Sequence, residues 1–148
     1  MTALNAGDGA EVWTAEGTNW VWGTPAVDGG IVFFADADGN IFAVDEASGA
    51  VQWEQSAAGP VTSSLVVDGN KVVVASEGDG GKEGQGQLLT LSKDSGDILW
   101  EARTDLPLYS TPVVSNGTIA VAIRAENNMM SFYDIEDGSV VWTYTQNN

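Results

Sequence analysis

A glycine followed four residues later by a tryptophan occurs four times in this chain, and no other feature constrains the fold as tightly. The pairs are Gly9 with Trp13, Gly49 with Trp53, Gly96 with Trp100 and Gly138 with Trp142. Each glycine follows an Asp or a Ser, at Asp8, Ser48, Ser95 and Asp137. Successive tryptophans lie 40, 47 and 42 residues apart. A second mark falls between them, at Val27-Asp28-Gly29, Val67-Asp68-Gly69 and Ser115-Asn116-Gly117. Self-similarity at a period of this length marks a repeat architecture, in which no unit buries its apolar face alone.

Turn chemistry divides each repeat into four short strands. In the first complete unit strands are predicted over 24–27, 31–35, 41–45 and 50–55. The turns fall at Asp28-Gly29-Gly30, at Asp36-Ala37-Asp38-Gly39-Asn40 and just before Ala50. Asp-Gly supplies the positive φ that tight hairpins require. A turn signal about every ten residues, with no sustained spacing of three and four, argues against helix. The second strands, Ile31 to Phe34, Val72 to Ala75 and Ile119 to Ile123, are apolar on both faces. A sheet with one wet face would alternate instead, so these sheets are expected to be covered on both sides. The fourth strands do alternate, with Val51 and Trp53 set against Gln52 and Glu54, as suits an outer, partly wetted strand. Small sheets of this kind fit radial stacking. A β-sandwich explains neither the double-sided burial nor the regular tryptophans. The expectation is an all-β fold, a partial β-propeller of about three and a half four-stranded antiparallel blades. Its parts are a half blade over 1–16 and blades over 24–56, 62–103 (with a Gly-rich insertion at 77–86) and 109–145.

The span Ala43-x-Asp45-x-x-x-Gly49-x-x-x-Trp53 resembles the tryptophan-docking motif of the PQQ-like β-propeller repeat family, the superfamily of the pyrroloquinoline-quinone (PQQ) dehydrogenases. The first copy keeps Ala3, Gly9 and Trp13, with Asn5 in place of the acid; the third and fourth replace the alanine with Thr90 and Phe132. The resemblance implies that Trp13, Trp53, Trp100 and Trp142 each stack on the glycine peptide of the next blade. Within the superfamily one branch is catalytic; another, the BamB-type branch, is not. The resemblance implies that the alcohol dehydrogenases carry an adjacent-cysteine disulfide under the quinone, a Glu/Asn/Asp calcium site and basic residues on the cofactor.

This chain has no cysteine and no histidine, and its five bases, Lys71, Lys82, Lys93, Arg103 and Arg124, match none of those sites. The non-catalytic branch is therefore favoured, with no catalytic residue and no cofactor; PQQ and calcium belong to the dehydrogenase alternative, and a ligand-sensing propeller of a larger membrane or kinase protein is a further one. Twenty-one acids leave a net charge of −16. That argues against nucleic acid, since phosphate binding needs a basic surface. No stretch approaches the roughly 20 apolar residues of a membrane span. Met1 to Gly7 has neither the basic nor the apolar part of a signal peptide. An extracytoplasmic location, periplasmic or secreted, and a role as a protein-binding scaffold in envelope or outer-membrane protein assembly are implied by the resemblance alone.

Asp36 and Asp38 resemble the start of a calcium loop, but glycine is fourth rather than sixth and no acid follows at the twelfth position. A hairpin turn is the expectation there, with a weak surface metal site as the alternative. The segment from Glu77 to Gly86 holds a Gly-Lys pair without the glycine, the Ser/Thr or the helix of a phosphate loop, and reads as a flexible hairpin extension. Asn116-Gly117-Thr118 is formally a glycosylation sequon and also an expected hairpin turn. Trp20 and Trp22 are surplus to the repeat. They lie in a link between an outer strand and the next inner one, where Pro60, Thr62, Pro107 and Tyr109 occupy the corresponding places. Either they pack between blades, or Trp20, Trp22 and Tyr109 anchor a protein partner.

The repeats supply three complete units and the last two strands of another. An open arc would expose two blade faces, forfeiting on the order of 12 kcal/mol each at roughly 25 cal/mol per Å². That is comparable with the net stability of a domain. Further blades of a longer chain, or self-association through the open faces, are expected to cover them.

Overall fold

Every element that the sequence marks out is a strand in the computed structural model, which describes residues 1–79, 85–123 and 128–145. A two-stranded sheet comes first, β1 (Thr2–Leu4) and β2 (Glu11–Thr14). The second sheet holds β3 (Ala26–Asp28), β4 (Ile31–Ala35), β5 (Asn40–Asp45) and β6 (Val51–Ser56) in sequence order. The third holds β7 (Val66–Asp68), β8 (Lys71–Ser76), β9 (Gly86–Ser92) and β10 (Ile98–Thr104). The fourth holds β11 (Val113–Ser115), β12 (Thr118–Ala122), β13 (Met130–Asp134) and β14 (Val140–Tyr144). All neighbours pair antiparallel. The innermost strands β3, β7 and β11 approach one another across sheets, as radial stacking requires.

The core is not one mass but three layers, one between each pair of successive sheets. Phe33, Ile41, Ala43 and Trp53 of the second sheet meet Val72, Val74, Leu89 and Leu91 of the third. Val73, Leu88 and Trp100 on the other face of the third meet Ile119, Val121 and Tyr133 of the fourth. Trp13 of the first lies with Val32, Phe34, Phe42 and Val44 of the second. Double-sided burial thus holds for β4 and β8. It fails for β12, where Ile119 and Val121 are buried but Ala122 is exposed, because no sheet covers that face among the described residues.

Each layer is pinned by an indole. Trp13, Trp53 and Trp100 are 8–9% exposed, and their Nε1 groups donate to the carbonyls of Glu46 (2.8 Å), Lys93 (2.8 Å) and Ile135 (2.9 Å) in the following sheet. A Cβ built on Gly49 would stand 2.7 Å from the Trp13 ring, one on Gly96 2.7 Å from Trp53, and one on Gly138 2.5 Å from Trp100. Glycine is required twice over there, for the close approach and for φ near +72°. The fourth tryptophan departs from the expectation. Trp142 is 50% exposed and lies flat on Phe132, with ring centroids 3.8 Å apart and planes within 11°.

The fourth strands do not alternate as their sequence suggests. Val51 is exposed although Trp53, two residues on, is buried. The register explains it: Val44 faces Val51 but Ala43 faces Trp53, so Gln52 is an extra residue. The same β-bulge recurs at Val12, Leu99 and Val141, one residue before every tryptophan. A bulge re-aims the side chain beside it, and here it turns the indole toward the next sheet. Between β11 and β12, Asn116 (φ 50°) and Gly117 (φ 73°) form the two-residue turn expected of Asn-Gly.

Trp53→Ala is expected to lower the unfolding free energy in urea by about 4 kcal/mol. Gly96→Ala, which meets the Trp53 ring, should cost roughly 3 kcal/mol, whereas Gly9→Ala opposes only the backbone and should cost about 1 kcal/mol. The Thr90 hydroxyl is buried and has no hydrogen-bond partner among the described residues; Thr90→Val, which keeps the shape, should stabilise the fold by about 1 kcal/mol.

Candidate functional site

The antiparallel order of each sheet divides its loops between two rims. Turns joining first to second and third to fourth strands lie on one rim, with the docking glycines. Turns joining second to third strands lie on the other, together with the links 15–25, 57–65 and 105–112 that carry the chain to the next sheet. Loops on a rigid scaffold are where recognition is usually carried, and this second rim holds Trp20, Trp22, Tyr109, Asp36 and Asp38.

The links are joined to one another by hydroxyls. The Thr24 N–H donates to Ser64 Oγ (2.9 Å) and the Ser64 N–H donates to Thr111 Oγ1 (3.1 Å). Sequence reasoning missed this relay, although Thr24-Pro25 and Thr111-Pro112 stand at matching places and could have signalled it. Close backbone contact reinforces it, since a Cβ on Gly23 would collide with the Ser63 carbonyl.

Asp36 organises the rim beside the first link. Its carboxylate is fully buried and accepts from the backbone N–H groups of Thr18 (3.1 Å), Asp38 (3.0 Å) and Asn40 (3.0 Å). It also accepts from Thr18 Oγ1 (3.0 Å) and from Asn40 Nδ2 (3.1 and 3.2 Å). Asp38 takes a hydrogen bond from Asn19 Nδ2 (2.8 Å) and shares the single Thr18 hydroxyl proton with Asp36 (3.2 Å to Asp38). Burial alone would raise the Asp36 pKa, but the hydrogen bonds from Asn40, Thr18 and Asp38 outweigh it and hold the group below its ordinary 3.8. Both carboxylates are thus engaged in tying the link to the turn. Among the described residues no cluster of three or more His, Cys, Asp or Glu is placed to hold a metal ion.

Trp20 and Trp22 do not pack between blades. They are 71% and 63% exposed and lean on each other, with centroids 5.8 Å apart and planes tilted by 57°. The Ala37 N–H donates to the Trp20 carbonyl (2.9 Å), so the pair is fastened to the Asp36 turn. Tyr109 is exposed in a separate sector of the same rim, beside a cleft that Pro60, Gly78 and Pro107 also line. The flexible extension expected over 77–86 falls largely on residues 80–84, which lie outside the described residues; only its ends are described. Gly78 and Gly86 are buried, and a Cβ on Gly78 would collide with the Gln85 carbonyl, so these glycines serve close packing. The Gly-Lys pair at 81–82 lies outside the described residues.

Asp36→Asn leaves buried donors facing an amide and is expected to destabilise the fold by about 2 kcal/mol at pH 7. Because the folded pKa is depressed, the stabilisation from Asp36 is complete above the unfolded carboxyl value of about 3.9. It is lost as pH falls below that value through the folded one. Urea melts from pH 7 to pH 3 should therefore show the gap between wild type and Asp36→Asn closing on the acid side.

A family model described as outer membrane protein assembly factor BamB matches residues 1–83 and again 43–148, two overlapping registers on one repeating chain. BamB from Moraxella catarrhalis superposes with a TM-score of 0.73 at 21% identity, over 92% of this chain and 41% of that one. A quinohemoprotein alcohol dehydrogenase from Comamonas testosteroni superposes at 0.69 and 21% identity, over 86% of this chain and 21% of that one. The computationally designed Ika4 protein superposes at 0.75 and 19% identity, over 92% of this chain and 79% of that one. No curated protein sequence matches the chain. The chain spans about two fifths of the length of the BamB structure it resembles. At these identities the structures speak for the fold, while the family model covers the whole sequence: the chain belongs to the PQQ-like β-propeller repeat family that the BamB model describes.

Proposed function

We propose that this propeller is a non-catalytic, protein-binding scaffold that works outside the cytoplasm in assembly of the cell envelope. The observation that carries the reading is the Trp20–Trp22 pair. Two indoles are held in water by a link fastened to a buried carboxylate, although the docking motif uses neither. Exposed aromatic side chains on a pre-organised loop are characteristic anchors of protein interfaces. The envelope setting is supported by the family model, which carries the name of an outer-membrane protein assembly factor.

The dehydrogenase reading is disfavoured by where the bases lie. A quinone that carries carboxylates requires cations around it. Lys71 pairs with Glu136 at 3.0 Å and Lys93 with Asp28 at 2.7 Å, both bridging neighbouring sheets beside the docking turns. Arg103 stands on the outer strand β10, 4.0 Å from Glu101. These three bases, the ones among the described residues, do not fit the cofactor; Lys82 and Arg124 lie outside the described residues.

Two measurements test the proposal. After incubation with PQQ and calcium and desalting, the protein is expected to show neither quinone absorbance nor dye reduction with alcohols or glucose; retained quinone with turnover would overturn the non-catalytic reading. A photo-crosslinking amino acid at position 20, introduced in the native host, should yield discrete protein adducts that Trp22→Ala removes while thermal stability changes little. Absence of adducts would count against the rim as the binding surface.

A further inference from the structure

We infer that the second rim takes an extended polypeptide segment rich in arginine or lysine, laid across the links from the Trp20–Trp22 pair to Tyr109. The inference rests on that rim being the binding surface, as proposed above, and adds the shape of the site and the charge of its occupant.

The links repeat one another residue for residue. Trp20, Pro60 and Pro107 each stand seven residues after a docked tryptophan, and Trp22, Thr62 and Tyr109 stand two residues further on. The residue between, Val21, Val61 or Leu108, turns down into the layer beneath. Its neighbours on either side are left at the surface: Trp20, Trp22 and Tyr109 are exposed, and Pro60, Thr62 and Pro107 are half-buried.

The links are also fastened at matching points. The Ala37 N–H donates to the Trp20 carbonyl and the Glu77 N–H to the Pro60 carbonyl, both at 2.9 Å. Val61 donates its N–H to the Asp36 carbonyl (3.3 Å), and Leu108 donates to that of Ser76 (3.4 Å). The relay through Thr24, Ser64 and Thr111 then sets the links side by side. The result is a continuous strip on a fixed backbone, aromatic at both ends with prolines and a threonine between. A surface ordered in advance loses little freedom when a partner arrives.

Charge selects the partner. The links 15–25, 57–65 and 105–112 contain no lysine or arginine. Glu16 and Asp105 are exposed at the link starts, and Asp38 is exposed beside Trp20. Asn19 binds Asp38 to that indole's backbone, donating to the carboxylate at 2.8 Å and accepting from the Trp20 N–H at 2.7 Å. At the other end Glu77 keeps its carboxylate on the Thr62 hydroxyl (3.0 Å) and lines the cleft with Tyr109. Among the described bases, Lys71 and Lys93 are paired on the opposite rim and Arg103 stands by Glu101. A guanidinium or ammonium is drawn to an indole face, and more so beside carboxylates. The same field repels an acidic segment and an anionic membrane. In an extended chain alternate side chains face the same way, so basic residues at every second position would all meet the strip.

Isothermal titration checks this with a probe peptide of about ten residues, alternating arginine and threonine, and a counterpart with glutamine for arginine. The arginine peptide is expected to bind one to one, and the glutamine peptide at least about 30-fold more weakly. Raising salt from about 0.05 to 0.5 M should weaken the arginine peptide roughly tenfold. Trp22→Ala and Tyr109→Ala, on different links and neutral in charge, should each weaken it about tenfold with melting temperatures unchanged. Asp38→Asn should weaken it about fivefold, whereas Asp68→Asn, the same change of charge on the opposite rim, should bind as wild type.

Equal binding of the glutamine peptide would overturn the basic occupant. Indifference to both Trp22→Ala and Tyr109→Ala would overturn the strip, as would equal loss in Asp68→Asn and Asp38→Asn, which marks diffuse attraction. Sedimentation with phosphatidylcholine vesicles, abolished by Trp22→Ala, would make the rim a lipid surface and overturn the peptide. Crosslinking at position 20 separates this inference from the reading beneath it. Adducts that persist in about 0.5 M salt, with no arginine-peptide binding, would overturn the basic segment and leave the scaffold standing; no adducts at any salt would remove the rim itself.

Discussion

An indole laid across a glycine peptide holds each boundary between sheets in this molecule. The contact combines a large apolar area with one directional bond from the ring N–H to a backbone carbonyl. Each half depends on local chemistry. The glycine must adopt a positive φ and leave no Cβ in the way, and the tryptophan must leave its strand toward the next sheet. The bulge at Val12, Gln52, Leu99 and Val141 supplies that direction. Aliphatic layers then fill the space that the pinned sheets define.

The same geometry separates structure from recognition. Docking turns and the inter-sheet pairs of Lys71 with Glu136 and Lys93 with Asp28 share one rim. The other carries the hydroxyl relay through Ser64 and Thr111, the buried Asp36 and the exposed indoles. Exposed surface charge pairs contribute little stability, so the first rim rests on the indoles. The second rests on hydrogen bonds, and Asp36 is its most connected group.

Much of the fold was legible because the repeat is written four times. Gly9, Gly49, Gly96 and Gly138 with their tryptophans placed the fourth strands and the docking turns, and Asn116-Gly117 announced its own turn. The bulges were hidden, because Val51 and Trp53 look like ordinary alternation until pairing with Ala43 and Val44 is known. The Asp36 network was hidden for a different reason. Its donors come from Thr18 and Asn40, on opposite sides of two strands and a link, and only the closed fold brings them to one carboxylate. The Trp20–Trp22 pair was visible as an excess over the repeat, but whether it packs or projects depends on a link whose path no periodicity sets.

The bulge has one more consequence. The tryptophan's aim is fixed within the outer hairpin, by a turn and one extra residue, and not by the distance along the chain from the previous repeat. The longer third sheet, with 47 residues between Trp53 and Trp100, accordingly keeps the same contact as the 40-residue unit before it. A longer segment between second and third strands is therefore compatible with the same docking contact between neighbouring sheets. The architecture leaves one edge open to evolutionary revision, and a foreign peptide grafted there would inherit a rigid mount.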